Sequence, residues 1–232
     1  MIKGDLRKKQ ILETAERLFT EHGYERTGVQ DILDVLNLSK GSFYHHFASK
    51  ELVLLTICES RAELSAAHYR AEETENGLER MNRLLSGMIP FQGEGLAFLK
   101  MLMPVFLLPE GKSVLNGYQE ALKSAWLPMT IKALEQMINQ KAAFARFPEK
   151  LAGILLDLIN DLWGRISQEM LSSSEKENTE IAGSLIGLVE AYRAAVENII
   201  CAPYGTIELI NLEQLIKTSQ ELHEEKKKEV NP

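Results

Sequence analysis

The sequence predicts an all-α protein in which a small N-terminal domain of three helices precedes a larger helical domain. Apolar residues recur at spacings of three and four along nearly the whole chain, which is typical of amphipathic helices. Sustained alternation of apolar and polar residues is missing, so no Asn-Gly or Asp-Gly pair lies between two alternating segments as it would in a hairpin. With 232 residues, 45% of them hydrophobic, the chain is long enough for one large domain or two unequal ones.

Composition limits the class of protein. No apolar run reaches the roughly 18 residues of a membrane span, and the basic start leads directly into an amphipathic pattern, so we expect neither a membrane segment nor a signal peptide. Two cysteines, Cys58 and Cys201, do not make a disulfide framework or a zinc knuckle, which favours a reducing cytoplasm. The net charge of −7 is uneven, because residues 1–50 carry eight Lys/Arg against seven Asp/Glu and the remainder carries 18 against 26.

The first predicted helix runs from about Leu6 to His22, and Gly23 ends it, as a glycine just past the last turn commonly does. Its apolar face consists of Ile11, Ala15, Leu18 and Phe19. We therefore expect this helix to brace the two shorter helices that follow it.

Two short helices joined by a tight turn come next. Thr27 and Gln30 have the spacing of a capping box at the start of the second helix. Asn37 tolerates the left-handed conformation that the turn needs, and Ser39 is a good N-cap for the third helix. This layout is that of a helix-turn-helix, and it predicts a domain boundary near residue 50.

A connecting helix over residues 51–70 is expected to open the larger domain, 51–232. After a polar linker at 72–77, further helices are predicted around residues 77–90, 94–108, 112–140, 149–173, 178–201 and 207–227. Pro104 and Pro128 lie inside helical patterns and should kink or interrupt them. The charged C-terminal end, HEEKKKEVNP, is expected to fray.

The stretch SKGSFYHHF, residues 39–47, concentrates aromatic and hydrogen-bonding side chains on the third helix. Gly41 has no side chain, so the backbone there can approach another surface closely. The side chains able to bind phosphate oxygens or base edges of DNA are Lys40, Ser42, Tyr44, His45 and His46, with Lys50 placed for a further phosphate. This pattern predicts that the third helix enters the major groove.

Three side chains of this stretch allow other interpretations. Phe43 either touches a thymine methyl group or packs inward, whereas Phe47 is expected to anchor the helix on the core. His45 and His46 point about 100° apart on a helix, and no carboxylate or thiol joins them at a ligand spacing, so no metal site is predicted.

Residues 11–55 resemble the DNA-binding domain of the tetracycline-repressor (TetR) family. The matching segments are ILETAERLFTEHGYERTGVQDIL and LNLSKGSFYHHFASKELVL. The resemblance implies operator contacts by Thr27, Lys40, Gly41, Ser42, Tyr44, His45, His46 and Lys50. Gly28 departs from the usual Ser or Thr, which weakens one expected phosphate contact, and Asn37 replaces the usual turn glycine.

The resemblance also implies a homodimer that binds a palindromic double-stranded operator through its N-terminal helices. The remaining helices would bind a ligand and form the dimer. Most members of the family repress, and they release DNA when a small molecule binds. Nothing in the resemblance implies a cofactor.

A row of small residues in the helix at 178–201 supports dimerisation without appeal to the family. Gly183, Gly187, Ala191 and Ala195 recur every fourth residue, so another helix can approach closely. The preceding helix supplies Leu155, Leu158 and Leu162 for a four-helix bundle made by two chains. The alternative is a helix contact within one chain.

Large apolar residues in the middle of the chain are candidates for a ligand pocket, namely Phe98, Met101, Phe106, Trp126, Met129 and Trp163. Such a pocket would suit an apolar or aromatic ligand. The alternative is that these residues are ordinary core.

The leading hypothesis is therefore a ligand-responsive transcriptional repressor. A second hypothesis is a DNA-bound dimer that acts through a protein partner and has no small-molecule effector. An enzyme is disfavoured, because the sequence has no nucleophile–base spacing, no glycine-rich phosphate loop and no HExxH pair.

Overall fold

A computed structural model describes residues 3–70, 76–91, 93–172 and 178–230, and within these ranges the chain is helical with no strand. The helices are α1 Lys3–His22, α2 Val29–Leu36, α3 Lys40–Tyr44, α4 Lys50–Arg70, α5 Gly77–Met88, α6 Gly93–Leu102, a 3₁₀ helix Met103–Leu107, α7 Gly111–Asn139, α8 Pro148–Ser172, α9 Asn178–Ile200 and α10 Leu212–Val230. The predicted all-α class is confirmed. None of the helices in the described ranges has the length and apolar character needed to cross a bilayer.

The chain forms two compact units. The first consists of Met1–Leu64 with Leu96–Leu122, and the second of Ser65–Gly95 with Lys123–Pro232. The division predicted near residue 50 follows the end of the helix-turn-helix pattern rather than these units, and it stays a prediction.

The core of the first unit begins with the predicted apolar face of α1. Four residues of this face are at most 5% exposed, namely Ile11, Ala15, Leu18 and Phe19. Burying each of the larger ones stabilises the fold by about 1.5–3 kcal/mol. Gly23 then ends the helix at φ +84°, and its N–H donates to the Phe19 carbonyl over 3.0 Å.

The predicted capping box at the start of α2 is wrong by one residue. Gly28, not Thr27, is the N-cap, and its N–H donates to the Asp31 carboxylate over 2.6 Å. The Thr27 side chain is buried and donates to the carbonyls of Leu18 and Gly23. The hydroxyl thus ties the start of α2 to the end of α1 instead of capping α2.

The turn between α2 and α3 has the predicted chemistry. Asn37 adopts the left-handed conformation, with φ 51° and ψ 50°. Ser39 caps α3, and its hydroxyl accepts a hydrogen bond from the Ser42 N–H over 3.3 Å. The helix itself is shorter than predicted, since it ends at Tyr44.

Several later boundaries differ from the prediction. The helix predicted at 94–108 divides at Pro104, which lacks an N–H and stands at the start of the 3₁₀ helix. Pro128 lies inside α7 without ending it. The C-terminal residues predicted to fray continue α10 as far as Val230, and of the predicted linker, residues 71–75 fall outside the described ranges.

Residues 202–211, of which 207–211 were predicted to be helical, form an irregular segment. Gly205 has φ +79°, and the Ile207 N–H donates to the buried carboxylate of Glu197 over 3.0 Å. The Asn82 side-chain amide binds the same segment twice, because it donates to the Thr206 carbonyl and accepts from the Glu208 N–H. These side chains satisfy backbone groups that a helix would otherwise pair.

Gly77→Ala tests the close packing of α5 in the second unit. A Cβ at Gly77 would lie 2.7 Å from the Met137 backbone nitrogen and 3.0 Å from the Gln136 carbonyl carbon. We expect Gly77→Ala to lower the free energy of unfolding by about 1–3 kcal/mol in urea titrations. The control is Gly153→Ala in α8, where the nearest atom is the flexible Lys123 Cε at 3.8 Å and alanine favours the helix by up to about 1 kcal/mol. Equal midpoints for the two variants would contradict the packing.

Candidate nucleic-acid interface

The α3 helix presents one compact, solvent-facing set of polar side chains. Lys40, Gly41, Tyr44 and His45 are exposed, with Tyr44 at 55%. Ser42 and His46 are half-buried. A Cβ at Gly41 would meet no atom within 4 Å. The backbone here is therefore open to close approach, and it is flanked by groups that bind phosphates and base edges.

Phe43 does not belong to this surface. Its side chain is fully buried, and its ring centroid lies 6.1 Å from that of Phe47, which is also buried. Of the two interpretations that the sequence allows, packing inward is the one observed. A contact between Phe43 and a thymine methyl group is therefore excluded in this conformation.

The side chain of Thr27, which the resemblance implies as an operator contact, also points away from this surface. Its side chain is 1% exposed, and its hydroxyl hydrogen-bonds to carbonyls of the protein itself. Its contribution is to hold the first turn of α2 in place.

The ammonium of Lys50 has an intramolecular role that the sequence did not predict. It donates to the carbonyls of Tyr24 over 2.8 Å and Thr27 over 3.0 Å, and it lies 4.1 Å from the Tyr24 ring centroid. Burial lowers the pKa of Lys50, while the carboxylates of Glu110, Glu25 and Asp31 raise it. One of the three ammonium donors remains for a phosphate.

The Tyr24 hydroxyl stays protonated beside this ammonium. Burial is the main cause that raises the pKa of Tyr24 to about 12, and the carboxylates of Glu110 and Glu51 add to it. Because the ring carries no charge of its own, the Lys50 ammonium interacts with it through the π face of the ring.

Lys8 in α1 also approaches this region, and the sequence pattern did not single it out. Its Nζ lies 5.7 Å from the Phe47 ring centroid. The only signal was the basic composition of the N-terminus, which does not indicate which lysine lies beside α3.

The predicted dimer residues divide into two groups in the second unit. Gly183, Gly187 and Ala191 are exposed and Ala195 is half-buried, and a Cβ at either glycine would meet no atom within 4 Å. An intrachain helix contact at these two glycines is therefore wrong.

On α8, by contrast, two of the three predicted leucines face the chain's own core. Leu155 and Leu162 are fully buried, and Leu158 is half-buried. The apolar side chains that α8 and α9 leave exposed include Ile154, at 49%, and Ile186, at 38%. Leu155 and Leu162 thus belong to the core of this chain and are not part of the exposed surface.

The six candidate pocket residues belong to separate units. Phe98, Met101 and Phe106 lie in the first, where Phe98 packs edge-on against Tyr118 with ring centroids 5.5 Å apart. Trp126, Met129 and Trp163 lie in the second, where the Trp126 ring packs 4.9 Å from that of Tyr69 and the Trp163 indole donates to Asn160.

A cleft of about 550 Å³ lies elsewhere in the second unit, between Ser86, residues 189–193 and residues 207–213. None of the six candidates lines it. No sequence pattern indicated this cleft, because part of its wall, residues 207–211, is irregular where a helix was predicted.

Comparison with known proteins identifies the fold. The family model described as "Bacterial regulatory proteins, tetR family" matches residues 11–57, which contain the whole helix-turn-helix. Over this segment the chain matches the TetR family. The resemblance seen in the sequence over residues 11–55 is thus confirmed.

Known relatives match this chain over different lengths. It is 27% identical to the uncharacterised regulator YuxN of Bacillus subtilis over 93% of this chain and 83% of YuxN. It is 39% identical to the transcriptional repressor KstR2 of Mycobacterium tuberculosis, but over only 34% of this chain and 40% of KstR2. In structure it is similar to GusR of Salmonella enterica, with a TM-score of 0.51, 19% identity and coverage of 84% of this chain and 96% of that one.

Lys50→Met tests the structural role of this ammonium in the helix-turn-helix. The substitution removes two charge-assisted hydrogen bonds, to the carbonyls of Tyr24 and Thr27, so we expect the free energy of unfolding to fall by about 1–3 kcal/mol. Lys40→Met, which removes an exposed lysine of the same unit, should change it by less than about 0.5 kcal/mol. Urea unfolding at pH 7 measures both, and unchanged stability of Lys50→Met would rule out the anchoring role.

Proposed function

We propose that the protein is a dimeric repressor that binds a palindromic operator through α3 and is released by a small organic effector. The observation that carries the DNA-binding part is the exposed polar surface of α3, built around Gly41. Because such a regulator works where the chromosome is, we propose the bacterial cytoplasm as its location.

Each exposed side chain of α3 has a role that follows from its chemistry. Lys40 and the hydroxyl of Tyr44 would bind phosphates, which position the helix without reading sequence. Ser42 and His45 would reach base edges in the major groove. His46, half-buried beside α1, would donate to a phosphate at the edge of the contact, and the remaining donor of Lys50 would add another.

Dimerisation is proposed through the open face of α8 and α9. Gly183, Gly187 and Ala191 let a second helix approach closely, and Ile154 and Ile186 supply apolar area to bury. One helix-turn-helix makes few contacts, whereas two linked heads about 34 Å apart gain affinity through effective concentration. A symmetric pair also matches a palindromic site.

We also propose release by an effector, because each unit buries aromatic and methionine side chains of the kind that bind apolar ligands. A molecule that binds one separation of the two heads better than another shifts the dimer toward that separation. The size of this shift is limited by the difference between the affinities of the molecule for the two states. The name of KstR2, a repressor, supports the direction of control.

A second candidate is control by a protein partner. Phe144 and Phe147 are 67% and 68% exposed on the segment between α7 and α8, and a partner would cover apolar area there. Two results together would favour this candidate. No small molecule would release the operator complex, and a protein carrying both Phe144→Ser and Phe147→Ser would fold normally but lose regulation in cells.

Duplexes selected from a random library by the purified protein will supply an operator for the first test. We expect Lys40→Met to weaken binding to it and to lower the slope of log K against log salt by about 0.9, because one phosphate contact is lost. Ser42→Ala should change which sequences are selected. Lys217→Met, which removes an exposed lysine in α10, is the matched control and should leave affinity and slope unchanged. A Lys40→Met protein with wild-type slope would refute the phosphate contact.

Gly187→Glu tests the dimer. A carboxylate in the row of small residues would be buried without a partner on association, so sedimentation should show single chains at micromolar concentration. Operator affinity should then fall by a factor of roughly 10²–10⁴. Ser124→Glu, on an exposed position of α7, is the control and should remain dimeric. If Gly187→Glu sediments as a dimer, the association uses another surface.

A further inference from the structure

One cation in the second unit is buried. Arg80, in the first turns of α5, is 7% exposed. The residues that α5 buries alongside it are apolar or glycine, namely Gly77, Met81, Leu84, Leu85 and Met88. In an ordinary amphipathic helix this position would hold another apolar residue.

No group of the protein compensates this charge among the residues that the structure describes. The Arg80 Nε is buried without a hydrogen-bond partner, and its side chain forms no ion pair there. The buried polar side chains Thr130, Asn160 and Ser167 are neutral. The single buried carboxylate in the described ranges, that of Glu197, accepts the Ile207 N–H instead.

An uncompensated buried charge is strongly unfavourable, because the cation loses its hydration and gains no attraction in return. A lysine relieves such a cost by giving up its proton, but a guanidinium keeps its charge. The site therefore favours any molecule that brings a negative charge to it.

The surroundings of Arg80 indicate what the rest of that molecule resembles. Arg80, Leu84 and Gly87 share one face of α5, since they are separated by four and three residues. Tyr69 packs so closely on this face that a Cβ at Gly87 would lie 2.4 Å from its Cζ. The Tyr69 ring in turn packs on Trp126, so the face borders an aromatic layer.

We propose that Arg80 is the receptor for the carboxylate of the effector, which is an apolar or aromatic carboxylic acid in its ionised form. This proposal rests on the proposed function and specifies its ligand. A carboxylate matches the planar fork of the guanidinium with two parallel hydrogen bonds. The apolar part would lie against the side chains that accompany Arg80 on α5.

The test uses the full-length protein and its Arg80→Met variant, which keeps a long apolar side chain without the charge. Arg83→Met, three residues along the same helix at an exposed position, is the matched control. Decanoate and benzoate are compared with decanamide and benzamide in thermal unfolding at pH 7. These amides have nearly the same shape but no charge.

At least one acid should raise the melting temperature of the wild type and of Arg83→Met, by about 2–4 °C or more, with no effect from its amide. Arg80→Met should lose this response. Without ligand, Arg80→Met should melt at the wild-type temperature or above, because an unpaired buried charge has been removed. A structural arginine would show the opposite, a lower melting temperature.

The proposal is overturned if neither acid stabilises the wild type, if the amides act as well as the acids, if Arg80→Met keeps the response, or if Arg80→Met melts several degrees below both other proteins. Operator release distinguishes this failure from that of the proposed function. A neutral compound that releases the operator leaves the ligand-released repressor standing and removes only the carboxylate. Absence of operator binding altogether removes the proposed function itself.

Discussion

The position of α3 depends on the burial of Phe43. A helix of five residues has too few internal hydrogen bonds to form by itself, so tertiary packing has to fix it. Phe43 and Phe47 provide that packing on one side, and the Ser39 cap and the left-handed Asn37 set where the helix begins. Once Phe43 points inward, the geometry of a helix turns Lys40, Tyr44 and His45 outward. The polar surface of α3 is thus a consequence of one buried ring.

Local chemistry made part of this structure predictable, and tertiary contacts hid the rest. Gly23, Asn37 and Ser39 act on their own neighbours, so their roles follow from the sequence alone. At the start of α2, however, Thr27 with Gln30 and Gly28 with Asp31 both have a capping spacing. The contact that selects between them is the bond from Thr27 to the Leu18 carbonyl, nine residues away. The Lys50 ammonium likewise meets carbonyls 23 and 26 residues earlier, and no local pattern reveals such a contact.

The same limit applies to the faces of the long helices. Periodicity shows that α8 is rich in apolar residues but not which of its two adjacent stripes faces the chain's own core. Leu155 and Leu162 were expected at the interface and are buried in the core, whereas the neighbouring Ile154 is exposed. Arg80 illustrates the converse, because a charged residue in an amphipathic segment is normally taken for a solvent-facing one. Only the packing of α5 shows that it is buried.

The glycine row of α9 and the guanidinium of Arg80 have a common physical meaning. Exposed glycines in a helix interior cost about 1 kcal/mol each relative to alanine, and an unpaired buried charge costs more. Neither cost is recovered within one chain, but the proposed associations would recover each, the first with a second helix and the second with an anion. Binding of either partner therefore stabilises the folded chain. If the anion binds the two arrangements of the dimer unequally, linkage requires that it also changes the affinity for DNA. In that case, compensation of a single charge would couple the proposed ligand to the proposed operator.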